Sequence, residues 1–426
     1  MDQGNTAFLL ICAAFVLLMT PGLAFFYGGL VKAKSVISMM MMSFGAMGLI
    51  AVLWILYGYA IAFANGPEGP AGTDTFIGID GFIGIDTAQL GLNGVFEEAS
   101  DPTGAFPLIA FAAFQATFAI ITVALISGAI ADRAKFGAWM VFAGVWATIV
   151  YFPVASWVFN FTLGDEGVVD GGFIAYNMGV IDFAGGTAVH INAGAAALAL
   201  ALVLGKRVGF AKGAHVPHNP PFVLLGAGLL WFGWFGFNAG SELAADGVAA
   251  IAFLNTIAAP AAAILGWLVV EKIRDGKPTS VGAASGAVAG LVAITPACAA
   301  VSPFWAIVLG LVAGVICALA IDLKYKLGFD DSLDVVGIHL VGGLVGTLYI
   351  GLLGEGVGLF LGGGISQLGV QAGAAAIVLV YSFVLSYAIA FIIQKTMGFR
   401  ITNEDELAGV DTVVHGEEGY VLMDSK

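Results

Sequence analysis

Apolar residues fill this chain in long blocks separated by short polar segments. A block of about 20 apolar residues is long enough to cross a hydrocarbon core of roughly 30 Å as a helix. Eleven blocks qualify, at about 6–31, 36–64, 104–131, 137–160, 184–205, 221–241, 248–270, 280–300, 303–323, 335–354 and 370–394. Those from 184 onward have softer boundaries, because Gly and Ala lower their hydropathy. The pattern predicts an all-α membrane protein of eleven transmembrane helices over residues 1–395, with 396–426 left as a polar tail. The first block has no basic segment before it and is too long for the apolar core of a signal peptide, so it reads as a span.

The polar segments sort by charge. Lys32, Lys34, Arg133, Lys135, Lys206, Arg207, Lys212, Lys272, Arg274, Lys277, Lys324, Lys326, Lys395, Arg400 and Lys426 all fall in alternate loops and the tail, on one side. Excess Lys and Arg marks the cytoplasmic side. The N-terminus is therefore expected outside and the C-terminus inside, in a multi-pass protein of the cell membrane. An odd number of spans is required, and eleven meets it.

Composition agrees: 60% of residues are hydrophobic and 10% charged, against about a quarter charged in a soluble domain. The net charge of −14 reflects acidic outer loops, chiefly 65–103 with Glu68, Asp74, Asp80, Asp86, Glu97, Glu98 and Asp101. These acids suit solubility; the alternative, functional reading is that their negative field enriches cations near an outer mouth. No basic patch suits nucleic acid. Cys12, Cys298 and Cys317 lie within blocks and lack ligand spacing, so they read as small packing residues. The 61 glycines, in runs such as GAASGAVAG (282–290) and GLVAGVICA (310–318), allow helix backbones to approach closely in lipid.

Two histidines carry the candidate chemistry. AVHINAG surrounds His190 in the fifth block and GIHLVGG surrounds His339 in the tenth. An ionisable side chain within a span marks a pathway or a proton relay by default. The matching motifs, five blocks apart, predict two five-helix halves plus one extra helix. Five is odd, so the second half is upside down relative to the first, as in many transporters. Asp182 precedes His190 by eight residues, about 12 Å of helix. This sets Asp182 near the outer end of its span and His190 near mid-depth. A histidine pair passes a proton along because each imidazole donates and accepts. Metal binding lacks a second ligand at helical spacing on either face, and no cofactor is indicated. No nucleophile–base set points to an enzyme.

Aromatic residues form a second group of signals. LLWFGWFGFNAGS (229–241) carries Trp231, Trp234, Phe237 and Ser241 near the outer end of the sixth block. AAFQATFAIITV (112–123) carries Phe114 and Phe118 one helical turn apart in the third. These suit membrane packing and an interfacial belt. Together they also suit a cation–π cage at a pore mouth.

The chain resembles the Amt/Mep/Rh ammonium transporters, on the Amt branch, over nearly its whole length. The resemblance rests on PGLAFFYGGLV (21–31), IDFAGGTAVHIN (181–192), GKRVGF (205–210), WFGWFGFNAGS (231–241), SGAVAGLVAITPAC (285–298), DDSLDVVGIHLVGG (330–343) and the tail NEDELAGVDTVVHGEEGY (403–420). It implies an ammonium transporter that recruits the ion outside and conducts ammonia through an apolar pore with a twin-histidine proton relay. It implies recruitment by Phe118, Phe159, Trp234 and Ser241 with Asp182 in support, a gate of Phe114, Phe118 and Phe237, pore histidines His190 and His339, and Thr295 in the pore wall. It further implies a homotrimer and a PII-type signal protein at the cytoplasmic face. One departure stands out. The family pattern P-x-A-H-W-x-W reads PVASWVF here (153–159), with Ser156 for the His and Phe159 for the caging Trp. Trp is the stronger cation–π partner, so a weaker outer site is implied unless Trp157 or Trp234 compensates. The alternatives are a passive ammonia or carbon dioxide channel, as on the Rh branch, and an ammonium sensor acting through a partner.

Overall fold

The computed structural model describes residues 1–64, 75–79, 81–100, 104–164, 167–210 and 216–420. Of the loop acids named above, Glu68, Asp74, Asp80 and Asp101 lie outside these residues, as do Lys212 and Lys426. Among the described residues, ten helices are long and apolar enough to cross a membrane: α1 (Gln3–Leu30), α2 (Ala33–Ala62), α3 (Leu108–Ile130), α4 (Phe136–Phe159), α5 (Gly186–Leu204), α6 (Pro220–Glu242), α7 (Gly247–Arg274), α9 (Pro303–Leu327), α10 (Val336–Leu353) and α11 (Ser366–Thr396). The expected eighth span, 280–300, is helical only over α8 (Ser280–Ile294). Pro296 has no N–H to continue the ladder. The chain goes on in turns, with Ala297 N–H donating to Ile294 and Ala300 N–H to Ala297. The crossing is made by a short helix and a string of turns.

The packing repeats. In the first half α1 packs on α2 and α3, and α2 on α3 and α4. In the second half α6 packs on α7 and α8, and α7 on α8 and α9. Equivalent helices also meet across the centre, α1 against α6 and α5 against α10. This is the arrangement expected of two inverted halves. The extra helix α11 runs along α5, α10 and α4.

Glycine sets the close approaches. A Cβ on Gly226 would sit 2.2 Å from the Phe26 backbone nitrogen, and one on Gly310 would sit 2.0 Å from the Ala259 carbonyl oxygen. Any larger residue separates α6 from α1, or α9 from α7. Outside the spans, two small antiparallel hairpins form among the described residues, β1 (Phe76–Ile79) with β2 (Ile83–Asp86) and β3 (Phe161–Gly164) with β4 (Gly167–Gly171). The tail folds back onto the basic face. There Asp411 accepts from the Ile37 and Ser38 N–H groups at the start of α2, at 3.0 and 2.7 Å.

Candidate functional site

Both histidines sit in widened π-type turns, Gly186–Ile191 at the start of α5 and Val336–Leu340 at the start of α10. Such turns insert an extra residue and re-aim the side chains on them. Gly194 lets the two helices touch, since a Cβ there would lie 2.5 Å from the Leu340 nitrogen. The His190 and His339 Nδ1 atoms are 3.2 Å apart, with ring centroids 5.3 Å apart and planes inclined by 23°. Both rings are buried, at 1% and 3% exposed. A hydrogen bond between two Nδ1 atoms requires one ring to donate and the other to accept, so the two rings carry opposite tautomers. The His190 Nε2 has no hydrogen-bond partner among the described residues.

The pair forms part of an otherwise apolar chamber walled by Leu23, Phe26, Ile121, Val189, Leu230, Val288, Trp234 and Phe237. His190 stacks on Trp234 at 5.5 Å and 21°. Trp234 is held in turn, because its indole N–H donates to Thr295 Oγ1 at 2.8 Å and that hydroxyl donates to the Leu291 carbonyl at 2.8 Å. Thr295 thereby orients the chamber wall.

Two phenylalanines stand between this chamber and a second, outer pocket. Phe118 and Phe237 stack with centroids 4.2 Å apart and an interplanar angle of 27°. Phe237 faces the chamber, and Phe118 faces the outer pocket. Phe114 packs edge-on against Phe118 at 4.9 Å and lines neither cavity, so it braces the stack from behind. The outer pocket is lined by Phe111, Gln115, Phe118, Phe159, Phe161, Phe183, Ser241 and Leu243. Phe159 lies edge-on to Phe118 at 6.1 Å and 77°. The Ser241 hydroxyl donates to the Phe237 carbonyl at 2.8 Å.

Several expected positions differ. Trp234 is on the inner side of the phenylalanine stack, against His190, and is absent from the outer pocket, because it lies about two helical turns deeper than Ser241. Trp231 turns away to α7, where its indole donates to the Thr256 carbonyl at 2.9 Å. Trp157 stacks on Phe82 at 5.3 Å and donates to the Phe82 carbonyl, so neither Trp157 nor Trp234 lines the outer pocket beside Phe159.

Asp182 caps the start of α5. Its Oδ1 accepts from Gly185 and Gly186 N–H at 2.9 and 2.6 Å, and its Oδ2 accepts from Thr187 N–H at 2.8 Å and from the Thr187 hydroxyl. A carboxylate at a helix start satisfies otherwise orphaned N–H groups and the positive end of the dipole. Asp182 is a partly exposed capping group rather than a buried one, and it fixes the turn that bears His190.

Asp331 repeats this device in the other half. It lies eight residues before His339, as Asp182 lies eight before His190, and its Oδ2 accepts from the Val336 N–H that opens α10 at 2.7 Å. Sequence reading missed it, although the equal spacing was there to be found. Gln115, Phe161, Phe183 and Leu243 were missed too. Of these only Gln115 left a trace, as the one amide side chain inside α3.

Comparison with known proteins adds to this geometry. The model of the Ammonium Transporter Family matches residues 7–420. An ammonium transporter of Mycobacterium tuberculosis is 56% identical, with 98% of this chain and 90% of the relative covered. One of Bacillus subtilis is 44% identical, with 99% of each covered. Among solved structures, a sensor Amt protein matches with a TM-score of 0.85 at 28% identity, covering 97% of this chain and 98% of the other. Saccharomyces cerevisiae Mep2 matches with a TM-score of 0.80 at 33% identity, covering 95% and 91%.

Proposed function

The chain belongs to the Ammonium Transporter Family, and on that premise we propose that it takes up ammonium by separating ammonia from its proton. The ion is recruited in the outer pocket by Phe118, Phe159 and Ser241. It loses a proton near the Phe118–Phe237 gate, which Phe114 braces, and neutral ammonia enters the apolar chamber past Trp234 and Thr295. The proton crosses over His190 and His339, and Asp182 holds the first of these in place.

Energetics favour this division. A bare cation in a low-dielectric chamber faces a cost of tens of kcal/mol in the Born limit. A desolvated cation–π contact returns about 2 kcal/mol. Aromatic rings therefore recruit the ion without carrying it across, whereas an uncharged molecule crosses at little cost. Potassium has no proton to release and stays outside. The observation that carries the reading is the contact of two imidazoles at 3.2 Å in a chamber otherwise walled by apolar and aromatic groups.

The protein would act in the cell membrane as a homotrimer with one pore per subunit, its N-terminus outside and its tail in the cytoplasm. A PII-type protein would meet that basic face. A passive gas channel is the second reading, favoured by Phe159 in place of a stronger cation–π partner. Currents on a solid-supported membrane separate the two. We expect transient currents with ammonium, smaller ones with methylammonium and none with potassium. Absence of any ammonium current, with ammonia flux intact, would establish the gas channel instead.

A further inference from the structure

Gln371 is buried in the second turn of α11, the helix that stands outside the two repeated halves. A buried amide is costly unless its polar atoms are paired. This one has every position filled. Its Oε1 accepts from the Ile181 N–H at 2.9 Å and from the Gln367 amide at 3.0 Å. Its Nε2 donates to the Ile181 carbonyl at 2.8 Å and to the Thr347 carbonyl at 3.2 Å. An amide offers two donors and two acceptor sites, so the set is complete. The partners also fix which end is which, because a flipped amide would turn its oxygen toward two carbonyls.

The backbone it grips leads to the histidine pair. Residues 179–185 are neither helix nor strand, so their polar groups must find partners outside a ladder. Gln371 takes both polar groups of Ile181, as a neighbouring strand would. The next residue is Asp182, the cap of the turn that bears His190. Thr347 stands on α10, eight residues beyond His339, about 12 Å of helix. One side chain of a third helix thus ties the approach to α5 to α10. The two helices touch there as well, since a Cβ on Gly186 would lie 2.9 Å from the Thr347 hydroxyl oxygen. They meet again where Gly194 approaches Leu340. Along α5, His190 lies between these two points of attachment.

The two approaches share one tie by repetition. Phe183 N–H donates to the Pro296 carbonyl just past α8, and Ser332 N–H donates to the Ala129 carbonyl at the end of α3, each at 3.2 Å. Beyond that tie they differ. The approach to α10 is fastened by Arg207 on Asp330, and the approach to α5 is fastened by Gln371, from a helix that duplication did not supply.

We propose that Gln371 is a positioning residue for proton transfer, fixing the approach to α5 against α10 and so setting the separation of His190 from His339. The inference rests on the transport reading above and adds to it a residue that lines neither cavity. Proton transfer needs the two rings within hydrogen-bond reach. Ammonia needs only an open apolar path. Loosening the clamp therefore acts on charge movement before it acts on ammonia.

Two quantities from the same proteoliposomes test this: the ammonium-driven charge on a solid-supported membrane, and the total ammonia nitrogen taken up over the same interval. Gln371→Met keeps the length of the side chain and loses its hydrogen bonds. Misplacing reacting groups slightly costs rate steeply, so the ratio of charge to nitrogen is expected to fall to about a third of wild type or less. A merely structural role lowers both quantities together and leaves the ratio unchanged, and that result would overturn the assignment. If Gln371→Met is not recovered folded, Gln371→Asn, which keeps the amide and shortens its reach, is read against the same threshold. The double variant His190→Ala/His339→Ala is the reference. Charge of wild-type size in it would overturn the proton route itself, and the role of Gln371 with it. Loss of charge in it, beside a wild-type ratio in Gln371→Met, would overturn the role of Gln371 alone.

Discussion

The starts of α5 and α10 are the same device set in two different surroundings. In each, an aspartate eight residues before a histidine caps a widened helical turn. On the acidic face Asp182 spends both oxygens on backbone N–H groups and the Thr187 hydroxyl, and it forms no ion pair among the described residues. On the basic face Asp331 is buried, meets one N–H through Oδ2 and leaves Oδ1 unpaired among the described residues. A lattice of charge surrounds it. Lys324 reaches the Asp331 carbonyl at 3.1 Å and Asp334 at 2.6 Å, while Arg207 joins Asp330 at 2.9 Å to Asp132 at 3.0 Å. Duplication brings the two imidazoles together, and the surroundings then specialise. The outer end uses its carboxylate to cap one turn, and the inner end adds a charge lattice that fastens loops.

That contrast is open to attack by mutation. The largest expected effect is at Asp182. Asp182→Ala strips acceptors from at least three N–H groups at once, at about 1–3 kcal/mol for each buried donor left unpaired, and releases the turn that bears His190. Ammonium uptake into proteoliposomes is expected to fall at least tenfold, and uptake near the wild-type level would break the comparison.

Arg207→Ala should act on stability instead. Removing one member of a buried charge network costs about 3–5 kcal/mol. The apparent melting temperature of the purified protein is expected to drop by several degrees, with uptake per folded molecule reduced less than in Asp182→Ala.

Asp331 supplies a pH signature. Burial and the field of Asp334 push its carboxyl up to about 6. The folded protein therefore holds this proton more tightly than the unfolded chain does. Its contribution is fully present below the ordinary aspartate value near 4 and is lost as pH rises through about 6. At about 1.4 kcal/mol per unit the swing reaches about 3 kcal/mol. Asp331→Asn is expected to melt above wild type at pH 7.5, with the gap closing by pH 4.5. A gap independent of pH would contradict this account of the inner end.

The smallest effect is expected at Phe159. Restoring the stronger π face with Phe159→Trp gains at most about 1 kcal/mol, read as a two- to fivefold lower half-saturating concentration.

Much of this was legible in the sequence because a membrane imposes long apolar runs and sorts Lys and Arg. Most span boundaries agree to within a few residues, and the pairing of His190 with His339 follows from two matching motifs. What was not legible depends on depth and on which way a side chain points. Hydropathy does not register that Pro296 stops α8 early, since the turns beyond it are as apolar as a helix. Trp234 and Ser241 share one motif, yet seven residues of helix carry them to opposite sides of the Phe118–Phe237 stack. The lining phenylalanines Phe161 and Phe183 come from segments beside the spans, and only the folded chain brings them to Phe159 and Ser241. The two hairpins are too short to stand out in acidic loops.

The proposed proton route is tested most directly by the charge moved when ammonium is added to proteoliposomes on a solid-supported membrane, compared between wild type and the double variant His190→Ala/His339→Ala. Under the proposed relay, removal of both imidazoles interrupts the proton's path, and the ammonium-driven current is expected to vanish while the protein remains folded. A current of wild-type size in the double variant would contradict the account.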